Sequence, residues 1–360
     1  MFSGQRLSLA RRRKGFTKKA LAEALGMHPR TVTRWEDDDR SPSETELELI
    51  CRILGFPKEF FFGAEVDEAD VGAASFRALS SMPARYRDAA LAAGSFGFIF
   101  GDWVEERFNL PPLDLEDLSG ETPDAAARAL REIWGIGERP ISHMLNLLES
   151  KGVRVFSLAE DTDTVDAFSM WRRNKAYMFL NCVKTAEHQR FDAAHELGHL
   201  VLHKHGGPRG REAEDEANRF AASFLMPRSD IFAHLTYVDT LDRMISFKKR
   251  WKVSLAALNH RAHKLGLTTE WEYRTFCIQL QQLGYRKSEP NGIERETSSA
   301  WEQVLQELRN DKITKNKIAD DLFLPPHEIE NLVFGLANML SVEGGGSGDG
   351  VKRGKLTLVD

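Results

Sequence analysis

The chain has 360 residues, 42% of them hydrophobic, and a formal net charge of −5, enough length and apolar content for two or three cores. A pI near 6.2 argues against non-specific coating of nucleic acid. With no signal peptide or long apolar run, the chain is expected to be soluble and cytoplasmic, with no membrane partner. Cys51, Cys182 and Cys277 are odd in number and widely spaced, which suggests neither disulfides nor a cysteine-type metal site.

Residues 1–62 read as a compact all-helical unit. Gln5 to Arg13 forms a first helix. Thr17 caps a second that runs to Leu25 and ends at Gly26. Pro29 suits the first turn of a third, continuing through Trp35, and Ser43 starts a fourth with Leu47, Ile50 and Leu54 on its apolar face. The helix–Gly–helix step over residues 17–35 is a helix-turn-helix arrangement, whose second helix enters the major groove of double-stranded DNA. Up to Trp35 there are nine bases against the single acid Glu23, an excess of +8 that reads as a phosphate-binding surface. The acids Glu36 to Asp39 and Glu44 to Glu48 are expected to face away from DNA. Groove-facing candidates are His28, Arg30, Thr31 and Arg34; Thr17, Lys18 and Lys19 are candidates at the start of the second helix.

Gly15-Phe16-Thr17 through Leu21-Ala22, Thr33-Arg34-Trp35-Glu36 and Pro42-Ser43 resemble the lambda-repressor-like (XRE-type) helix-turn-helix family. Two departures stand out. Lys18 replaces a usual glutamine, favouring phosphate contact over base reading. Asp38 replaces a usual glycine, and aspartate tolerates left-handed backbone.

A polar, alanine-rich linker is expected over 63–83, then helix from Ala84 to Phe108, a break at Pro111-Pro112, and helices over Pro123 to Trp134 and Ile141 to Lys151. Val153 to Phe156, Ala167 to Met170 and Ala176 to Leu180 read as short strands of a small sheet that would shelter the next helix. That apolar helical stretch contains His195-Glu196-Leu197-Gly198-His199, an H-E-x-x-H pattern. Residues four apart share a helix face, so His195 and His199 can bind one metal ion, with Glu196 placed as the base for a water the metal activates. Two imidazoles hold a divalent ion weakly, and the next helical stretch, Arg211 to Met226, offers acids. On its helical wheel Glu214 lies at the edge of the apolar stripe formed by Ala213, Ala217, Phe220, Ala221 and Phe224; Glu216 is the second choice, and Asp215 points away. Asn218, one turn after Glu214, can hold a ligand imidazole by its free ring nitrogen. The metal is therefore assigned to His195, His199 and Glu214, with Zn2+ favoured and Mn2+ able to occupy the same ligands. His203 and His205 read as surface or supporting groups rather than ligands. The bland alternative is an amphipathic helix pair with surface histidines and a solvated acidic face.

Gln189-Arg190-Phe191 leading into Ala194-His195-Glu196-Leu197-Gly198-His199-Leu200-Val201-Leu202-His203 resembles the signature of the ImmA/IrrE family of metallopeptidases. Glu214-x-Glu216-Ala217-Asn218-x-Phe220-Ala221, ending in Leu225-Met226-Pro227, resembles that family's second signature. Leu147 to Val153 and Asp166-Ala167-Phe168 look like family positions as well. The resemblance spans roughly 84–290 and implies a zincin-like metallopeptidase domain in which the first acid of the second block is a metal ligand. Phe224 stands where the family often has Leu.

After Pro227 more helix is expected, including Thr240 to Trp251 and Ser254 to Leu265, with a basic cluster at Arg243, Lys248, Lys249, Arg250 and Lys252 that reads as a solvated face or a contact with DNA or substrate. Residues 291–341 form a C-terminal helical unit. Ile313 to Ile329 loosely resembles a second helix-turn-helix, read as protein-facing because its second half is acidic. The glycine-rich tail, 342–360, is expected to be disordered. The expected class is mainly α with a small β-sheet.

Two functions compete. One, which the resemblance implies, is a DNA-bound regulator whose metallopeptidase makes limited cuts in a helix-turn-helix repressor, another protein or itself, under stress or in phage or mobile-element control. The other is a non-enzymatic transcription factor or antitoxin whose peptidase-like domain is a sensor or partner-binding module. A homodimer is compatible with either, and a general digestive peptidase fits poorly.

Overall fold

The computed structural model describes residues 1–69, 83–158, 167–205, 210–235, 237–285 and 288–337, with the backbone of 357–358. Most of the expected linker, and the glycine run Gly344 to Gly350, lie outside the described residues. The architecture is mainly helical with a small sheet.

Four helices build the N-terminal unit: α1 (Gly4–Arg13), α2 (Lys18–Leu25), α3 (Pro29–Glu36) and α4 (Glu44–Leu54). Hydroxyls close three of their starts: Ser3, Thr17 and Ser43 each accept a backbone N–H of the first turn, each worth about 1 kcal/mol. Gly26 and Gly55 end α2 and α4 in left-handed conformation. Leu21, Val32, Trp35, Leu47, Ile50 and Leu54 are buried between them. Asp38 does adopt the left-handed region, with φ of 57°. Its carboxylate also accepts the Gly4 N–H at 2.7 Å, capping α1 in a way glycine could not.

The chain does not leave this unit freely. Val66 exchanges hydrogen bonds with the Gln5 side chain, and Ala69 N–H donates to Ser95. Ser95 lies in α5 (Ala84–Glu105), a 22-residue helix apolar on nearly every side and therefore central. On one flank α5 packs against α1; on the other it meets the sheet, where a Cβ on Gly97 would strike the Phe179 ring at 2.6 Å.

The chain continues through β1 (Phe108–Asn109), α6 (Pro123–Ile133) and α7 (Met144–Ser150) to β2 (Arg154–Leu158), β3 (Ala167–Arg172) and β4 (Lys175–Asn181). The helix expected from Ile141 starts three residues later, because His143 caps it. Sheet order is β2-β4-β3: β4 is central, parallel to β2 and antiparallel to β3, which leaves β3 at an edge. Phe156, Phe168 and Phe179 stack on the face toward α5. On the other side lie α8 (Ala186–Leu202) and, crossing it, α9 (Arg211–Leu225).

Helices α10 (Arg228–His234), α11 (Leu241–Trp251), α12 (Leu255–Lys264) and α13 (Glu270–Gln282) come next. The basic cluster of α11 is largely absorbed internally. Lys248 is buried between Glu187 and Glu289, Arg250 pairs with Asp230, and Lys252 donates to the Ser142 carbonyl.

The C-terminal unit is α14 (Ser299–Asn310), α15 (Lys315–Leu322) and α16 (Pro326–Val333). The pair α15–α16 has helix-turn-helix form, turning at left-handed Phe323. Its second helix is no DNA reader, because Glu328, Ile329, Leu332 and Val333 are buried against β2 and α5. Glu328 also accepts Arg13 of α1 at 2.7 Å and faces Lys14 at 3.5 Å. Thr357–Leu358, within the stretch expected to be disordered, forms β5, paired antiparallel with β1.

Candidate metal centre and nucleic-acid interface

Thr185 caps α8 by accepting the His188 N–H. The helix is embedded: Ala193, Ala194, Leu197, Leu200 and Val201 are buried. At Gly198 it meets α9 closely, since a Cβ there would lie 3.1 Å from Phe220 and 3.3 Å from the Ala217 backbone. That approach, which Gly198 and the alanines of α9 permit, carries the Glu214 carboxylate to the imidazole pair.

His195 Nε2 and His199 Nε2 are 3.1 Å apart, and Glu214 oxygens lie 3.3 and 3.4 Å from them. A tetrahedral zinc site with bonds of about 2.0–2.1 Å separates its ligand atoms by about 3.3 Å. These are the three residues that, among those described, converge as potential metal ligands.

The hydrogen bonds behind the rings show that the donors suit a cation. Asn218 Oδ1 is 3.0 Å from His195 Nδ1. A carboxamide oxygen only accepts, so Nδ1 carries the proton and Nε2 presents a lone pair. On the second ring a relay does the same. His203 Nε2 donates to Glu216 at 2.9 Å, which leaves His203 Nδ1 as acceptor for His199 Nδ1 at 3.0 Å. Both Nε2 lone pairs and a carboxylate then face one point, an arrangement that calls for positive charge. Burial disfavours charge on Glu214 and His195, but each stabilises the other. The Glu214 carboxyl drops far below its ordinary range and the His195 pKa rises.

Glu196 is buried and held from the edge strand, where the Ser169 hydroxyl donates to its Oε2 at 2.7 Å. Sequence reasoning did not single out Ser169, because a strand-to-helix contact leaves no local spacing signal. The His203–Glu216 relay was legible only in part, as an i,i+4 continuation of the His195–His199 face. His205 is exposed and pairs with Asp117 at 2.9 Å, away from the three donors.

In the N-terminal unit, Thr17, Lys19, His28, Arg30 and Arg34 are exposed, while Lys18 and Thr31 are half-buried. His28 caps α3, accepting the Arg30 N–H on Nδ1 at 3.2 Å and leaving Nε2–H as a donor. Much of the positive charge is already neutralised within the fold. Arg6 is buried against the Ala64 and Phe60 carbonyls, and Arg11 is a bidentate partner of Glu36. Arg12 pairs with Glu68, and Arg13 and Lys14 with Glu328. Five of the nine bases therefore serve the fold. Lys18 faces Glu36 at 3.3 Å and exposed Lys19 faces Glu23 at 3.8 Å; α3 carries Arg30 and Arg34 outward.

No helix among the described residues is long and apolar enough to cross a membrane. Among curated proteins, no relative matches the chain. Residues 7–61 match the helix-turn-helix family, and residues 148–263 match the peptidase M78 family, the IrrE N-terminal-like domain. The second match begins inside α7, takes in the sheet, α8 and α9, and ends within α12. The chain thus joins an XRE-type helix-turn-helix to an IrrE/ImmA-like peptidase domain, one fused behind the other.

Proposed function

We propose that this protein is a DNA-bound regulator whose M78 domain is a zinc-dependent peptidase making limited cuts in a helix-turn-helix repressor, another protein or itself, in the cytoplasm under stress, phage or mobile-element control. The observation that carries this reading is the convergence of His195, His199 and Glu214 beside a buried carboxylate. Bound to His195, His199 and Glu214, zinc would supply Lewis acidity, polarising the scissile carbonyl and lowering the pKa of water towards about 7. Manganese suits the same donors. Asn218, and His203 with Glu216, fix the two imidazoles by their far nitrogens. Glu196 accepts the proton of the attacking water and delivers it to the leaving amine nitrogen, while Ser169 holds its carboxylate in place. His28, Arg30, Thr31 and Arg34 face the major groove, and Thr17, Lys18 and Lys19 grip phosphate. The same reading divides the chain into 1–62, 84–290 and 291–341, joined by 63–83 and ending in the tail 342–360.

One observation favours the rival, a transcription factor or antitoxin with an idle sensor domain. The buried Arg13–Glu328 pair ties the DNA-binding unit to the body. Glu196→Gln separates the two. Protein N-termini are compared by mass spectrometry in stressed and unstressed cells expressing either form. A new terminus that depends on Glu196 names the substrate, with a loss of about 10²–10⁴-fold in the variant. Identical termini and equal regulation by the two forms would overturn the peptidase.

A further inference from the structure

The face of α8 that carries the metal donors continues toward its N-terminus with Asp192 and His188. Asp192 precedes His195 by three residues and His199 by seven, so it lies nearly in line with them, roughly 5 Å along the axis from His195. Its side chain keeps 15% of its surface open. Its Oδ2 is buried and accepts no hydrogen bond among the described residues. His188 Nε2 stands off from it at 3.4 Å, and burial pushes the His188 pKa down to about 4, so that ring is neutral. Lys184 and His195 favour the Asp192 charge from a distance and Glu196 opposes it. Burial outweighs both favourable groups and lifts the carboxyl to about 7. An uncompensated carboxylate in such a place is costly, and Oδ2 returns no hydrogen bond to the fold among the described residues.

The geometry points to Asp192 as the residue that selects substrate, by pairing with an arginine or lysine side chain next to the scissile bond. A guanidinium or ammonium brought to the 15% of the side chain left open supplies a full positive charge, which a backbone N–H cannot. The selectivity follows from that: an apolar residue in the same position leaves Asp192 desolvated and still unpaired. This inference rests on the metallopeptidase reading and narrows its substrate class.

The test needs no known substrate and no turnover. Full-length protein is loaded with cobalt at pH 8, where Asp192 is ionised, and hydroxamate binding is followed by the visible spectrum of the metal. The probes carry arginine or norleucine side chains on either side of the metal-binding group. In the wild type, one arginine probe is expected to bind at least about tenfold tighter than its norleucine partner, a difference of about 1.4 kcal/mol. Asp192→Asn should abolish that preference while its melting temperature stays equal or rises, since it removes a buried unpaired charge. Metal uptake and hydroxamate binding without a cationic preference, or a preference that survives in Asp192→Asn, would overturn the subsite and leave the peptidase reading standing. Failure to take up metal, or to bind any hydroxamate, would overturn both.

Discussion

Ser169 and Glu216 are not among the three converging donors, yet each governs a group that the proposed reaction needs. Ser169→Ala removes a hydrogen bond to a buried carboxylate, and bonds of that kind are worth about 1.5–3 kcal/mol. Its expected signature is kcat down by roughly tenfold with KM and zinc content unchanged; a change in zinc content instead would show that Ser169 acts on the metal donors. Glu216→Leu removes the acceptor that holds His203 and, through it, His199, so zinc affinity, measured by chelator competition, should fall by about 10–100-fold. The H-E-x-x-H triad was readable because helical periodicity is local: His195 and His199 must share a face wherever the helix goes. Glu214 could be ranked on its own helix by the same periodicity. Ser169 could not, because its position depends on how the edge strand lies across α8, which no spacing encodes.

At the level of elements, the N-terminal bases teach the opposite lesson. Their number suggested an uninterrupted phosphate-binding surface, but Arg6, Arg11, Arg12, Arg13 and Lys14 are held by acceptors far along the chain. Charge counted along a sequence does not reveal which charges are already neutralised. Arg30→Ala should therefore weaken DNA binding and reduce the salt slope by about 1, whereas Arg11→Ala should lower the melting temperature, because it removes the bidentate partner of a buried Glu36 side chain and leaves it facing Lys18. If Arg11→Ala changed only the salt slope, the internal role assigned to it would be wrong. Strand positions were legible from short β-rich runs, but the order β2-β4-β3 was not, since pairing partners are chosen by tertiary packing. Close packing of α8 on α9 makes Gly198→Ala a further test. The added methyl meets Phe220 and the Ala217 backbone, at a cost of about 1–3 kcal/mol, and zinc affinity should drop as Glu214 is pushed away.

Across the whole molecule, Glu328 is the group through which the two ends of the chain meet. Burial opposes its charge, but the hydrogen bond from His327 and the charges of Arg13 and Lys14 outweigh it and bring the carboxyl down to about 2. A folded pKa below the unfolded value of about 4.5 means that this stabilisation is full above pH 4.5 and is lost as pH falls towards 2. Its size is of order 3 kcal/mol. Urea melts at pH 6, 4 and 3 should show Glu328→Gln less stable than wild type at pH 6, with the gap closing as pH falls. A gap that stays constant would mean the loss is one of packing alone. The C-terminal helix pair reads as protein-facing from its acidity; that its second helix is buried against β2 and α5 and meets Arg13 of α1 through Glu328 is information only the fold contains.

That contact also has a timetable. Arg13 and Glu328 are 315 residues apart, so at ordinary rates of synthesis Arg13 leaves the ribosome on the order of half a minute before its partner exists. During that interval neither Glu328 nor the rest of the C-terminal unit is available to the N-terminal residues. Arg13 and Lys14 are meanwhile uncommitted cations beside the DNA-reading helices. The nascent chain is therefore more basic at this end than the finished protein, and completing translation is what removes the surplus charge.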